Sequence, residues 1–473
     1  MGLSRLNAGM AGAARPVWIA VAILGAFAAV LWLPALHTPF WADDYHFLIE
    51  ARAANLAGEP LWSAFVPEVH GQFWRPLSHQ TWWRFVESAL GGDARRTHFG
   101  NLAFLLIAAA SVGLLSFTLA RACRWGAPGA VAGLAGALYA VLALHLLAVH
   151  WASAANSSVL AAFTALSLAA WVAAGQASGR ARAVLFGAAL AFLVAALMSK
   201  EAAIMTPLLM AVLTVFVAKP VRRAEIVVWI LAVCIVVMWL LLRVRFTSAI
   251  PPAYALNLGD NLVRNGVSFA AWMLNVPREA LRMILLGDAG PGLLWAVATA
   301  VPVLWVWTVA ARKTDLGRRR WFMTAAFALA AYAPYFPMAW NSYAYYAAVA
   351  AILPVIALAR GLLGSRRVVL AAALVGLSSW VAVAGTRWLD HPALIGRARW
   401  AESTLQALSQ AEIPSQLSVR VEDSQRFFAI GIDGLAWRLN RSRDSIHLLD
   451  DCGPAGHGCL VFHADGRVSW VHR

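Results

Sequence analysis

Two adjacent carboxylates, Asp43 and Asp44, follow the first apolar run of the chain within the segment Phe40–Tyr45. Mutual repulsion and partial desolvation can raise the pKa of one carboxylate in such a pair toward that of a useful general base. One could then deprotonate an acceptor hydroxyl, while the other orients the base, holds the acceptor or helps to bind a cation. The alternative, which the pair on its own slightly favours, is an Asx turn or helix cap after the break at Pro39.

Basic residues further along the chain could bind a phosphate. Arg75 lies in a Trp-Arg-Pro-Leu sequence, where Pro76 fixes the backbone and the guanidinium offers a planar fork suited to phosphate. Lys200 and Glu201 form a tight turn between two apolar runs, and Lys200 could hold an anionic leaving group. The alternatives are a surface arginine near lipid headgroups for Arg75, and a helix cap with an ion pair for the Lys200–Glu201 turn.

Aromatic and imidazole side chains could complete a binding site. Tyr343 and Tyr345 belong to the turn Trp340–Tyr346, whose rings could line a sugar site as flat platforms or form an interfacial belt. Histidines also fall near the predicted outside face, at His46, His70, His79, His98, His145 and His150. Their spacing matches no standard ligand motif, so we predict no metal ligand and favour hydrogen-bonding roles. A divalent cation bound with the acidic pair stays an alternative.

The elements that position these residues are apolar runs long enough to cross a membrane. The 473-residue chain is 61% hydrophobic and 13% charged, whereas soluble domains hold about 25% charged residues. A spanning helix needs about 20 mostly apolar residues. We predict an all-α polytopic membrane protein of about eleven transmembrane helices. They lie at Pro16–Leu36, Phe99–Ala120, two within Gly126–Gly179, Ala183–Met198, Ala202–Ala218, Ile226–Leu242, Pro291–Ala311, two within Trp321–Ala359, and Val368–Thr386.

Clusters of basic residues set the predicted orientation. The formal net charge is +15, but the basic residues form short clusters between spans, which argues against a nucleic-acid partner. Clusters such as Arg121–Arg124, Arg180–Arg182 and Arg318–Arg320 fall at alternate span ends and mark the cytoplasmic face. We therefore expect a multi-pass protein of a bacterial inner membrane, with the N-terminus in the cytoplasm and the C-terminal tail in the periplasm.

Two long outside segments follow from this topology. The first, residues 37–98, carries the acidic pair and two aromatic amphipathic stretches, Phe40–Ala54 and Trp74–Leu90, of the kind that lies along a membrane surface. The second, residues 243–288, is rich in arginine, which contradicts the positive-inside preference and invites a role in phosphate binding. Its arginines are Arg243, Arg245, Arg264, Arg278 and Arg282.

The chain divides into two predicted domains. Residues 1–386 form the transmembrane domain, with the loop 37–98 as its catalytic part, and residues 387–473 form a small α+β domain in the periplasm. In that tail, Arg397–Ala411 has helical periodicity and Leu417–Val421 alternates as a strand does. Asp465 and Gly466 predict a two-residue hairpin turn.

The cysteines agree with an oxidising location for the tail. Cys452 and Cys459 share a glycine-rich loop, and we predict a disulfide bond between them, with two free thiols as the alternative. Cys123 and Cys234 lie at or within spans.

The order of these features resembles the glycosyltransferase C superfamily. The nearest resemblance is to bacterial relatives of protein O-mannosyltransferases and of the membrane half of the tetratricopeptide-containing mannosyltransferases. It covers about Pro16–Thr386. The residues that carry it are, in order, a first span, Asp43–Asp44, Trp74–Leu77, His98 with Asn101 opening the second span, His145–Asn156, Ser199–Glu201 and a late tyrosine-rich turn.

Membership would imply a donor sugar on a polyprenyl phosphate, transfer at the periplasmic face, inversion at the anomeric carbon, and a first-loop acidic residue as the catalytic base. Asp44 or Asp43 would be that base. The donor phosphate would be bound by Lys200, Arg75, Arg243 and Arg245, and further substrate contacts would come from Glu201, His98, Tyr343 and Tyr345. The partners would be the lipid-linked donor, membrane lipids and a glycan, lipid or protein acceptor.

Two departures from the mannosyltransferase pattern leave the sugar and the acceptor open. An acidic and basic pair often precedes the late tyrosine, but Asn341 and Ser342 stand here. The chain also lacks tetratricopeptide repeats. Neither departure affects the expected class of donor.

A lipid-linked sugar flippase or transporter is the main alternative function, since it too needs many spans and cationic sites. It predicts ionisable residues near the membrane midplane, but the predicted spans are almost free of them. A noncatalytic assembly or sensor protein is a third interpretation. The many spans and the long first loop argue against mere anchoring.

Overall fold

Apolar runs free of charge form most of the long helices, because a helix satisfies its own backbone hydrogen bonds in lipid. The computed structural model describes residues 2–66, 73–246, 255–313, 316–339, 343–388, 395–409, 416–450, 452 and 459–471. The helices are α1 Gly2–Trp32, α2 Asp43–Leu56, α3 Trp82–Ser88, α4 Ala94–Ala122, α5 Pro128–Val141, α6 Leu146–His150, α7 Asn156–Ala174, α8 Gly179–Leu197, α9 Thr206–Val217, α10 Arg223–Phe246, α11 Asn261–Met273, α12 Arg278–Leu286, α13 Ala289–Lys313, α14 Gly317–Tyr332, α15 Ile352–Leu362, α16 Val368–Trp388, α17 Ile395–Ser409, α18 Ser424–Phe428 and α19 Gly431–Leu439.

The predicted polytopic fold is confirmed, and every predicted span contains a helix. Within the described residues, seven helices are long and apolar enough to cross a membrane, and α5 with residues 143–150 forms a pair bent by 53° that would make an eighth. Three predicted spans, at α9, α14 and α15, give shorter helices. The 16 residues of α14 extend about 24 Å, which is less than a bilayer core. The count of about eleven therefore stays a prediction.

Close helix packing holds the transmembrane part together. α4 packs against α5 and α7, and α1 packs against α5 and α16. Gly136 of α5 lies so close to α4 that a Cβ atom there would be 2.9 Å from the backbone oxygen of Ala109. Small residues thus allow two backbones to approach, as is usual between membrane helices.

The first outside loop contains the helices that its amphipathic stretches predict. α2 lies within and just beyond Phe40–Ala54, and the stretch Trp74–Leu90 forms one helical turn, Pro76–Thr81, followed by α3. Both helices pack against each other and against the C-terminal tail. The loop is therefore a folded part of the protein.

The tail forms a four-stranded sheet of β1 Leu417–Val421, β2 Ile446–Leu448, β3 Cys459–Phe462 and β4 Val468–Val471. The strand order is β2-β1-β3-β4, with β1 parallel to both neighbours and β3 antiparallel to β4. The predicted helix is present as α17, and the predicted Cys452–Cys459 disulfide is formed. The hairpin is present too, but its predicted two-residue turn is wrong. Residues 463–467 connect its strands instead. Within this loop Gly466 has a φ of 86°, and its N–H donates to the backbone oxygen of His463.

Candidate active site

The acidic pair lies in the first turn of α2, where the helix dipole favours negative charge. The residue before the pair, Ala42, has a φ of 51° and a ψ of −123°, a conformation that non-glycine residues rarely adopt. Successive residues of a helix point about 100° apart. The two carboxylates therefore face different surroundings although they are neighbours in sequence.

Asp44 is fully buried and accepts hydrogen bonds inside the protein. The Trp41 N–H donates to it at 3.1 Å, the Ser153 N–H at 2.8 Å and the Ser153 hydroxyl at 2.5 Å. Burial raises the pKa of Asp44 to about 7, although these hydrogen bonds oppose the shift. Asp44 thus has the bonding of a structural residue, and it ties α2 to the segment that precedes α7.

Asp43 is exposed, unlike its neighbour. The described residues offer its carboxylate no hydrogen bond or ion pair. Desolvation by the surrounding protein nevertheless raises its pKa, against the positive charges of His46 and Arg397, which lower it. Solvent reaches the Asp43 carboxylate, but protein surrounds it, so Asp43 lies in a recess. A general base needs such a position if it is to meet a substrate hydroxyl.

A hydrogen-bonded path joins the acidic pair to the Ser-Lys-Glu turn. Ser153, which binds Asp44, accepts at its backbone oxygen from Asn156 Nδ2 at 2.8 Å. The other end of the same amide, Asn156 Oδ1, accepts from Lys200 Nζ at 2.9 Å. Asp44 and Lys200 are therefore held in one network although 156 residues separate them in sequence.

The amine of Lys200 is buried, and neutral side chains hold it. Besides Asn156 it donates to Ser157 Oγ at 2.7 Å, and its Nζ lies 4.7 Å and 5.0 Å from the ring centroids of Tyr345 and Tyr346. Burial lowers the pKa of Lys200 well below its usual range. An anion brought beside Lys200 would restore the ammonium form, since an opposite charge favours it.

Glu201 points away from Lys200 and pairs with two arginines. Arg75 Nη2 lies 2.6 Å from Glu201 Oε2, Arg75 Nε lies 3.0 Å from both carboxylate oxygens, and Arg243 Nη1 donates to Oε1. Burial would raise the pKa of Glu201, but the two guanidiniums outweigh it and hold that pKa well below its usual range. Two guanidiniums facing one carboxylate leave a net positive charge. The cluster also fastens α10 to the loop before α3.

Two predicted site residues are not part of this cluster. Arg245 is exposed, and its guanidinium lies 5.7 Å from the ring of Phe246. It follows Arg243 by two residues on α10, so the two side chains leave the helix on different faces. His98 is fully buried and donates from Nδ1 to the backbone oxygen of Val149 at 2.9 Å.

Tyr343 and Tyr345 stack on each other with centroids 5.4 Å apart. Lys200 lies against Tyr345, and the Arg278 guanidinium lies 4.5 Å from the Tyr343 centroid. The four side chains form a row, Lys200–Tyr345–Tyr343–Arg278, with a cation at each end. The residues Trp340, Asn341 and Ser342, which belong to the same predicted turn, lie outside the described residues.

Two more arginines lie near Tyr343. Arg282 of α12 and Arg397 of α17 are close enough to its hydroxyl for charge interaction, and Arg397 interacts with Asp43 as well. Burial lowers the pKa of both arginines. The Nε atom of each is buried without a hydrogen-bond partner among the described residues. Two guanidiniums and Asp43 therefore share the same recess.

A small apolar cavity of about 30 Å³ lies beside Arg278. Its wall is aliphatic and aromatic, and its charged members are Arg278 and Glu279. Burial raises the pKa of Glu279 to about 7. The remaining lining residues are Ala143, Leu144, Leu146, Leu147, Trp272, Asn275, Val276, Pro277, Ala344, Ala382 and Val383.

The buried histidines serve as hydrogen-bonding residues. Among the described residues, no group of three or more His, Cys, Asp or Glu side chains could hold a metal ion. His70 lies outside the described residues. The pairs within hydrogen-bond distance are His79 with Asn156, His145 with the Tyr139 carbonyl and His150 with Thr38.

Sequence reasoning missed four contributors to the site. Ser153 and Asn156 gave no signal beyond their place in the ordered pattern. Arg278 was visible only as one of several arginines in the second outside segment. Arg397 comes from the tail, which showed no residue suited to chemistry. All four are brought to the site by long-range packing that no local spacing encodes.

The comparisons with known proteins agree with this architecture. No family model and no curated protein matches the chain. Among solved structures, the chain is similar to ArnT from Cupriavidus metallidurans in the apo state, with a TM-score of 0.50 and 15% sequence identity. The similarity covers 91% of this chain and 86% of that chain, and at this identity it shows the fold alone. The predicted fold is confirmed: this chain has a multi-pass membrane fold like that of ArnT, a glycosyltransferase C protein.

Proposed function

We propose that the protein is a membrane glycosyltransferase that moves a sugar from a polyprenyl phosphate to an acceptor hydroxyl at the periplasmic face. The observation that carries the proposal is the pairing of an exposed carboxylate, Asp43, with the row of two cations and two tyrosines described above. The fold shared with ArnT is consistent with this activity.

Asp43, rather than Asp44, is the proposed base. Asp44 has three hydrogen-bond donors around its carboxylate and is fully buried, so an acceptor hydroxyl has no access to it. Asp43 is exposed and has a free carboxylate among the described residues. Its raised pKa makes the carboxylate a better proton acceptor than an ordinary aspartate.

The proposed reaction is a single displacement. The acceptor oxygen attacks the anomeric carbon from the side opposite the phosphate, and its proton passes to Asp43. The bond between the anomeric carbon and the phosphate oxygen breaks, and the electron pair leaves with the polyprenyl phosphate. A phosphate leaves without a general acid, so the site mainly needs a base and cations. Inversion at the anomeric carbon follows from one displacement.

The donor phosphate is proposed to bind at the stacked tyrosines, between Lys200 and Arg278. These cations lie at opposite ends of the row, within 4.7 Å and 4.5 Å of the nearest tyrosine ring centroid. Arg75 and Arg243 contribute mainly through Glu201, which already neutralises one of them. The polyprenyl chain would lie in a groove between spans, and Arg245 has no part in this proposal.

The direct test is to incubate purified protein with a panel of polyprenyl-phosphate sugars and follow free polyprenyl phosphate. A transferase releases polyprenyl phosphate when an acceptor is present. The donor that is used fastest identifies the sugar. A flippase reconstituted in vesicles would instead move the intact lipid across the bilayer without releasing polyprenyl phosphate. Movement of intact donor with no release from any donor would overturn the proposal.

A further inference from the structure

The C-terminal tail and the first outside loop share one hydrophobic core. Tyr45 and Leu48 of α2 are buried together with Leu435 of α19 and with Leu460 and Phe462 of β3. Gly434 lies so close to α2 that a Cβ atom there would be 2.7 Å from the Tyr45 ring. Arg52 of α2 also stacks on Trp437, 3.5 Å from the ring centroid. The tail is therefore packed against the helix that begins with the acidic pair.

The tail also holds the strained residue that precedes Asp43. The Ala42 N–H donates to the backbone oxygen of Ala429 at 2.8 Å. A conformation with φ of 51° and ψ of −123° is strained for a non-glycine residue and persists only where surrounding structure fixes it. The hydrogen bond from Ala42 N–H to the Ala429 oxygen is one such restraint. It fixes the direction in which the next residue, Asp43, leaves the turn.

His46, one helical turn after Asp43, is held between two carboxylates. Its Nδ1 lies 3.1 Å from Asp433 Oδ2, and its Nε2 lies 3.1 Å from Glu50 Oε1. A carboxylate only accepts, so both ring nitrogens must carry protons, and His46 is an imidazolium. Arg443 Nη2 lies 3.4 Å from the same Nδ1, but the carboxylate is closer. Hydrogen bonds that His46 donates to Asp433 first, and to Glu50 second, raise the pKa of His46 to about 10.

Asp433 is in turn fixed within the tail. Arg443 Nε donates to Asp433 Oδ1 at 2.5 Å, which leaves Oδ2 for His46. The open cleft at this contact is lined by His46, Ile432, Asp433, Arg443, Asp444, Ile446 and His447. On the side toward Asp43, the other charges are Asp44 of the same helix and Arg397 of α17. The positive charges that act on Asp43 are therefore His46, which the tail holds, and Arg397, which the tail supplies.

We infer that the C-terminal tail is a positioning part of the transfer site: Asp433 holds His46 as a cation beside Asp43, and Ala429 fixes the turn that directs Asp43 into the recess. The inference deepens the proposed function and rests on it. Neither Asp433 nor His46 touches the reacting atoms. Their effect is to keep Asp43 ionised, hence able to accept a proton, at pH values where a desolvated carboxyl would be protonated.

The first experiment needs no transfer activity. The rate of hydrogen–deuterium exchange at the His46 ring carbon, followed by mass spectrometry across a pH series in the full-length protein, gives the His46 pKa. The inference predicts a value well above that of a free histidine, about 6.5, and a fall in Asp433→Asn but not in Asp433→Glu. Asp465→Asn removes a tail carboxylate that binds Arg467 at 2.6 Å and is the matched control. A wild-type His46 that titrates near 6.5, or that Asp433→Asn leaves unchanged, overturns the inference.

The second experiment follows kcat/KM for transfer against pH in the wild type, His46→Gln and Asp465→Asn. Without the imidazolium the pKa of Asp43 rises, so the acid limb of the His46→Gln profile moves to higher pH by at least about half a unit. The Asp465→Asn profile should match the wild type. A His46→Gln profile lowered equally at all pH values means a purely structural role and contradicts the inference. A wild type with no transfer refutes the proposed function, while the exchange experiment still decides the state of His46.

Discussion

At the scale of single residues, the structure separates two carboxylates that the sequence presents as equivalent. The sequence predicted that one of the pair acts as a base and could not say which. Their roles depend on Ser153, which is 109 residues away and donates twice to Asp44. No local pattern indicates that partner. Asp44 thus takes the structural role that the sequence offered as one alternative. Asp43 is the proposed base, which was the other.

Replacing Asp44 by alanine should weaken the fold. Asp44→Ala leaves buried donors of Trp41 and Ser153 without an acceptor, at a cost of about 1–3 kcal/mol for each unsatisfied group. Thermal unfolding in detergent should show a lower midpoint for this variant. Asp43→Ala is the matched control and should unfold close to the wild type, because the Asp43 carboxylate is exposed and makes no described hydrogen bond. Equal midpoints for both variants would contradict the structural role of Asp44.

Two arginines of the second outside segment should behave differently. Arg278→Gln removes a cation that lies next to Tyr343 and to the apolar cavity. We therefore expect kcat/KM for the lipid donor to fall at least about tenfold. Arg245→Gln removes an exposed arginine from the same segment and should change kcat/KM less than about twofold. The measurement is the initial rate at several donor concentrations. A larger loss in Arg245→Gln than in Arg278→Gln would favour the phosphate site that the sequence predicted.

At the scale of elements, the Ser-Lys-Glu turn holds the helices around it in place. The sequence offered a cap with an ion pair as the alternative to phosphate binding by this turn. The partners of that ion pair could not be inferred, because Arg75 lies 126 residues from Glu201. The turn precedes α9 and binds through Glu201 to the loop before α3 and to α10. Lys200, on the other side of the turn, reaches the start of α7. One short motif therefore positions four separate parts of the chain.

Glu201→Gln should be strongly destabilising for this reason. It leaves Arg75 and Arg243 facing each other without a carboxylate, and breaking such a partly buried cluster costs about 3 kcal/mol. The double variant Glu201→Gln with Arg243→Gln should lose less than the sum of the single losses, because it removes the uncompensated charge. Unfolding midpoints of the three variants test this. Strict additivity would show that the cluster is not coupled.

At the scale of the whole molecule, the apolar runs were enough to predict a polytopic helical fold, and the strand alternation was enough to predict β1. Helix length was less predictable, because α14 and α15 end at turns that apolar composition does not indicate. The packing of the tail on α2 could not be predicted, since it joins residues near 45 to residues near 435. Sequence patterns describe local periodicity, whereas such contacts depend on the folded chain.

The proposed orientation predicts which loops an impermeant thiol reagent reaches in intact cells. In a background with Cys123 and Cys234 replaced, Ala89→Cys at the exposed end of α3 should be labelled without permeabilisation. Ser178→Cys, which is exposed between α7 and α8, should be labelled only after the cells are permeabilised. Because both positions are exposed, a difference reports their side of the membrane. The reverse pattern would place the acidic pair in the cytoplasm and contradict the proposed site of transfer.

The most direct test of the central claim is the rate of sugar transfer by Asp43→Asn and Asp44→Asn, measured with the preferred polyprenyl-phosphate donor. Loss of the general base should lower the rate of Asp43→Asn by about 10²–10⁴-fold. Asp44→Asn keeps one acceptor oxygen for Ser153 and should retain at least about a tenth of the rate. A folded Asp43→Asn variant that transfers sugar at the wild-type rate would contradict the account.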